Sequence, residues 1–192
     1  MKNYPTIVTD EEFKATQEAR HTSNHHDYPS SPWFEEVFTE FIDLIKEPFV
    51  DIGCRNGKLL DDLKERGIQD VTGIEVTDIA DHAIAMGRNV VKTDIQKRTP
   101  FEDGQFKSAT MLHVIEHCQN YHEALDEIKR IVDGYIMFII PVGVGPDYHH
   151  YAHFVDFESR QELIDALIEH GYRIIKDYDK GAAVNVVIAK TR

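Results

Sequence analysis

The sequence predicts an α/β fold, a doubly wound and mostly parallel sheet with helices on both faces and an antiparallel strand near its end. Three observations predict it. Short apolar runs alternate with segments whose apolar residues recur at helical spacing. Apolar residues in these runs stand side by side, as at Phe49–Val50 and Tyr135–Ile140, not only at every second residue, as in strands covered on both sides. The chain closes with two strand-like runs around a short turn, a hairpin that reverses one strand.

Taken in order, residues 1–31 read as an N-terminal arm and residues 32–192 as a single domain. The arm is polar, and SNHHDYPSSP at 23–32 is an irregular stretch ended by prolines. A helix is expected from Pro32, with Phe34, Val37, Phe38, Phe41, Ile42 and Ile45 on one face. Strands are expected at 48–52, 71–75, 90–92, 108–112 and 135–140. Between them, Leu59, Leu60 and Leu63 share a helix face closed by Gly67. Ala124, Leu125, Ile128, Ile131 and Val132 share another, closed near Gly134. Ser159 and Glu162 read as a capping box for a helix burying Leu163, Ile164, Leu167 and Ile168. Strands at 172–177 and 183–189 around Asp179–Gly181 make the hairpin.

Composition narrows the function. The 192 residues are 42% hydrophobic, enough for one ordinary core. The net charge of -13 repels phosphate backbones, so nucleic acid is not an expected partner. The two cysteines, Cys54 and Cys118, form no C-x-x-C pair and no disulfide framework, which fits a reducing, cytoplasmic setting. Both are expected to pack as small residues. The start, MKNYPTIVTDEEF, has no apolar signal core, and YIMFIIPV is too short to span a bilayer, so no membrane is expected.

The chemistry gathers around FVDIGCRNGKLL at 49–60. Asp51 ends an apolar strand, and Gly53 and Gly57 occupy the turn into a helix, where glycine is costly unless a ligand approaches the backbone. Glu75 ends the next strand, where a carboxylate can accept from both hydroxyls of a ribose. Asp94 follows the third. Carboxylates at three successive strand ends describe an elongated nucleoside site. The loop lacks the G-x-G-x-x-G spacing of a pyrophosphate binder, and a negative charge at its entrance suits a cation, such as an amino group or a sulfonium.

These residues carry a resemblance. FVDIGCRNGKLL resembles motif I of the class I S-adenosylmethionine-dependent methyltransferases, and GIEVTDIADHAIAMGRNVVKTDI (73–95) resembles that family's second and third strands. TPFEDGQFKSATMLHVIEH (99–117) is similar to its L-P-F-x-D stretch ending in V-L-E-H. The likeness covers roughly residues 45–190, with Arg55 in place of a middle glycine and Lys107 in place of an aspartate. It implies the Rossmann-like seven-stranded sheet with an antiparallel last strand. It also implies S-adenosyl-L-methionine as cofactor and S-adenosyl-L-homocysteine as product, with a small molecule as methyl acceptor. Cofactor-binding residues are then Asp51, Gly53, Cys54 and Gly57 in the loop, Glu75 and Val76 at the ribose, Asp94 and Ile95 at the adenine, and Leu112 and His113 beneath the sulfonium.

In HVIEH, His113 and His117 are the catalytic candidates, with Glu116 beside them, because histidine titrates near neutral pH. His149, His150 and His153 follow the fifth strand. With His113, Glu116 and His117 they could hold a divalent metal, as in the metal-dependent small-RNA 2′-O-methyltransferases, which use E-x-x-E-H and a later histidine. Here His113 replaces the first glutamate, and the expected reading is no metal, with a histidine-rich loop closing over substrate. Tyr28 and Trp33 offer a lid or a core flap. Two alternatives remain beside the small-molecule enzyme: a metal-dependent RNA 2′-O-methyltransferase, and a non-catalytic cofactor-binding regulatory module.

Overall fold

The computed structural model describes residues 2, 3, 9, 11, 15, 32–143, 153–181 and 184–191. Along them run β1 (Lys2–Asn3), α1 (Pro32–Ile42), β2 (Phe49–Ile52), α2 (Lys58–Glu65), β3 (Val71–Glu75) and α3 (Ile79–Ala85). There follow β4 (Val90–Lys92), β5 (Phe106–Leu112), a 3₁₀ turn (Ile115–His117), α4 (Tyr121–Ile131) and β6 (Val132–Ile140). The chain ends with β7 (Val155–Asp156), α5 (Arg160–Glu169), β8 (Arg173–Asp179) and β9 (Asn185–Lys190). Tyr28, the rest of His25–Pro29, His149, His150 and the side chain of Trp33 lie outside the described residues.

Seven strands form one sheet in the order β4-β3-β2-β5-β6-β9-β8. The pairs β3–β4, β2–β3, β2–β5 and β5–β6 are parallel, and β9 runs antiparallel to both β6 and β8. The terminal hairpin therefore forms as its sequence predicts. The order of winding reverses between β2 and β5, so the carboxyl ends of these strands border the crevice of a doubly wound sheet.

Alternation along the strands divides the core into two. Ile136, Phe138 and Ile140 of β6 pack on one face with Leu125, Ile128 and Leu167 of α4 and α5. Met137 and Ile139 pack on the other with Phe34, Phe38 and Phe41 of α1, Leu60 and Leu63 of α2, and Ala83 of α3. Every second residue goes to each face, and both faces are covered, so apolar residues follow one another along a central strand such as β6.

Several expectations are corrected. Gly134 does not stop a helix; α4 passes at Val132 straight into β6, and Gly134 lies within that strand. A Cβ there would stand 1.9 Å from the carbonyl oxygen of Lys107 on β5. Strand β5 shifts register between Phe106 and Ser108 at this place, and close backbone approach is what selects glycine. Ile168 is 56% exposed, because Ala166 takes the buried position beside Leu163 and Leu167. Glu162 accepts from the amide of Glu158 at 3.0 Å, one residue ahead of Ser159, whose own side chain makes no cap bond. Ile45 lies beyond the end of α1 yet joins its apolar cluster. Two short strands had no sequence signal: β1 in the expected irregular arm pairs antiparallel with β7, Lys2 opposite Asp156.

Gly134→Ala should destabilise the protein by about 2 kcal/mol or more, because the methyl group meets backbone that cannot rotate away. Urea unfolding checks this; an unchanged midpoint would show that the strands separate freely there.

Candidate functional site

The turn after β2 is built on left-handed backbone. Gly53 and Gly57 have φ of 75° and 79°, and Arg55 between them has φ of 51°. Arg55 thus adopts the conformation that a glycine takes without strain, at a cost of about 1–2 kcal/mol. The turn is tied on all sides. The amides of Gly53 and Cys54 donate to the Ile74 carbonyl of β3 at 2.8 and 3.0 Å. A Cβ on Gly53 would meet Val114 Cγ2 at 2.3 Å, so the segment after β5 presses directly on the turn. Arg88 straps the far side: its guanidinium donates to the Asn56 carbonyl at 2.6 Å and, by Nη2, to Asp61 Oδ2 at 2.6 Å.

The centre of the arrangement is Glu75, 4% exposed. Its Oε1 accepts from the amides of Val76 and Thr77, both at 2.9 Å, and from Thr77 Oγ1 at 2.8 Å. Its Oε2 accepts from the Arg55 amide at 3.0 Å. One carboxylate joins the turn after β2 to the turn after β3. Oε2 retains acceptor capacity, since an ionised carboxylate offers about four sites.

Asp51, 5% exposed, lies opposite Thr110 in the β2–β5 ladder and accepts its hydroxyl at 2.7 Å. Burial pushes the Asp51 carboxyl up to about 7; the Thr110 bond opposes this, and the Glu75 charge adds to it. Asp94 stands two residues beyond β4. Its Oδ1 accepts from the Gln96 amide at 3.0 Å and side chain at 3.1 Å, closing a turn that buries Ile95. The amide of Thr93 donates to the Glu75 carbonyl at 3.0 Å, linking this end to the others.

Cys54 turns its side chain into the core, where Gly73 makes room: a Cβ on Gly73 would lie 2.4 Å from Sγ. Burial raises the Cys54 thiol well above its usual range, and does the same to Cys118. Both behave as packing residues, so Cys54 offers the site only its backbone. Leu112 is half-buried at the end of β5.

A second cluster follows. His113 has φ of 54°, and its amide donates to the Ile139 carbonyl at 2.8 Å. Its Nδ1 lies 3.4 Å from Glu116 Oε1, and His117 Nε2 lies 3.9 Å from the same oxygen. His153 is brought in from the β7 segment, its ring centroid 4.8 Å from that of His117. The Phe154 amide donates to the Glu116 carbonyl at 2.8 Å and holds the two segments together. Burial of Glu116 opposes its ionisation, but the His113 bond and the charges of His117, His113 and His153 outweigh it and bring the carboxyl down to about 2.

The structure therefore gathers Asp51, Gly53, Gly57, Glu75 and Val76 about one turn, and His113, His117 and His153 about Glu116. Thr77, Arg88, Thr110 and Asp156 were missed. Thr110 could have been found by pairing its strand with that of Asp51; Arg88 had no local signal.

Residues 50–138 match the family model of a methyltransferase domain. No curated protein matches the chain. Among solved structures, a S-adenosylmethionine-dependent methyltransferase from Aquifex aeolicus is 23% identical with a TM-score of 0.66, over 82% of this chain and 89% of that one. One from Mesorhizobium loti is 13% identical with a TM-score of 0.71, over 84% and 98%. The complex of the Haloferax volcanii Trm112 methyltransferase activator with a methyltransferase gives 13% identity and a TM-score of 0.67, over 95% and 94%. At these identities the likeness shows the fold. Among the described residues no helix is long and apolar enough to cross a membrane.

Asp51 has a measurable consequence in the ligand-free protein. A carboxyl at about 7 in the folded chain and 3.8 unfolded binds more protons when folded between those values. Its contribution to stability is full below the lower value and declines as the pH rises to the upper one. Between about pH 5 and pH 7 this amounts to roughly 2–3 kcal/mol. Asp51→Asn should remove that part of the decline in urea unfolding; an equal decline in both proteins would exonerate Asp51.

Proposed function

We propose that this chain, which carries a methyltransferase domain on the fold of the class I S-adenosylmethionine-dependent methyltransferases, moves a methyl group from S-adenosylmethionine to a small-molecule acceptor. One observation carries the reading: two buried carboxylates, Asp51 and Glu75, stand at the carboxyl ends of the neighbouring parallel strands β2 and β3, beside the switch in winding order. Burial, with the Glu75 charge adding to it, makes ionisation of Asp51 costly, and a bound cation offsets that cost. The cofactor supplies such a cation in its amino group and sulfonium. Glu75 would hold the ribose hydroxyls, Asp94 and Ile95 the adenine edge, and the loop from Asp51 to Gly57 the methionine part. Leu112 and His113 would lie under the sulfonium.

In the reaction the acceptor atom bonds to the methyl carbon and the carbon–sulfur bond breaks. The electron pair stays on sulfur, giving S-adenosylhomocysteine, and an oxygen or nitrogen acceptor also gives up a proton. The protein's work is alignment and exclusion of water. Of the two catalytic candidates, His113 is the more exposed, 18% against 8% for the His117 side chain, and is the one to take that proton. The net charge of -13 supports a small acceptor over a phosphate polymer. The acceptor pocket would be completed by the arm at 1–31, the segment at 141–158, or a second subunit. Reducing, cytoplasmic conditions suit the two buried thiols.

Calorimetry with S-adenosylmethionine and S-adenosylhomocysteine, followed by extract labelling with radioactive cofactor, tests the whole reading. Binding with no labelled product would favour a regulatory module instead. Glu75→Ala should weaken cofactor binding at least tenfold, about 1.4 kcal/mol, and Glu75→Gln should do so while keeping the bonds from Val76 and Thr77 and losing the one from the Arg55 amide. Unchanged affinity would remove Glu75 from the site. His113→Ala should lower kcat by on the order of 100-fold with a much smaller loss of cofactor affinity; equal losses in both would leave it a binding residue alone.

A further inference from the structure

The cluster around Glu116 does more than the methyl-transfer reading requires. We propose that Glu116, His117 and His153 bind one divalent transition-metal ion. Each offers a ligand atom, and these atoms all lie within 4.8 Å of one another. The three residues are 1%, 6% and 9% exposed. Two imidazoles and a carboxylate are the donor set of ions such as zinc, manganese, iron and cobalt, not of calcium.

Two further observations point the same way. Glu116 Oε2 is buried and has no hydrogen-bond partner among the described residues, although a buried carboxylate oxygen needs one. A metal ion would supply it. Around the three ligands stand groups of the kind that orient a metal site: Asp156 Oδ1 lies 3.4 Å from His153 Nδ1, and His113 Nδ1 lies 3.4 Å from Glu116 Oε1. The backbone bond from Phe154 to Glu116 fixes the distance between the two ligand-bearing segments.

Ligands on one ion stand closer together than the atoms do here, since metal–nitrogen bonds are about 2.0–2.1 Å. Small side-chain rotations bring them in. Three protein ligands leave coordination positions open, and Val114, next to the cluster, packs on Gly53 of the turn assigned to the cofactor. The open positions therefore suit an oxygen or nitrogen of the methyl acceptor.

The untagged 192-residue chain, stripped with a chelator, is titrated with cobalt(II) and followed by visible absorption, with S-adenosylmethionine calorimetry on the same sample. One equivalent of cobalt should give d–d bands. His153→Ala and Glu116→Gln, checked for folding by circular dichroism, should weaken cobalt binding on the order of 100-fold. His122→Ala, at an exposed histidine of α4 that pairs with His170, should leave it unchanged. If His153→Ala fails to fold, Glu116→Gln decides alone. Absence of bands, or bands that survive both substitutions, overturns the metal site. Cofactor binding without cobalt binding sinks this proposal alone; loss of cofactor binding in the stripped and cobalt-loaded protein alike sinks the methyltransferase reading.

Discussion

A single buried carboxylate, Glu75, holds two strand-end turns in register. Four donors reach it, three from its own turn and one from Arg55 across the crevice. Without that acceptor, the amides of Arg55, Val76 and Thr77 would lose their partner, at about 1–3 kcal/mol for each that stays shielded from water. The turn after β2 can hold left-handed backbone at three positions because this anchor, the Ile74 carbonyl and Arg88 together fix its path. The site is thus formed by the same bonds that hold the fold at its carboxyl edge, and recognition costs little reorganisation.

Charge is arranged in two centres on either side of that turn. Asp51 and Glu75 concentrate negative charge where a cation would lodge. Glu116 concentrates it among three histidines on the segment after β5. Val114 sits between them, touching Gly53 with its side chain while its carbonyl accepts from the amide of His117 at 2.9 Å. The two centres are thus joined through one residue, which suits a reaction needing two bound molecules in line.

The fold was largely legible because its signals are local. The short runs at 71–75 and 90–92, each opening on valine and closing on a charged residue, predict strands with the observed bounds. The reversal of β9 could be read from the short turn before it. Errors arose where a non-local contact decided the outcome. Gly134 looks like a helix stop, yet its role is set by the Lys107 carbonyl on another strand. Ile168 fits the helical period, but Ala166 occupies the interior. In the site, the carboxylates were visible because each lies at or within two residues of the carboxyl end of a strand. Thr110 and Arg88 were not, since their partners lie far along the chain. His153 stood out as a histidine, but its place beside Glu116 depends on the bond from Phe154 and on pairing of β7 with β1.

The central claim is that Asp51, Glu75 and Asp94 together grip a cationic sulfur nucleoside. A crystal structure grown with S-adenosylhomocysteine tests it most directly. The account predicts the ribose on Glu75, the amino group beside Asp51 and the adenine along Asp94 and Ile95. An empty crevice, or a pyrophosphate seated on the turn at Gly53–Gly57, would contradict it.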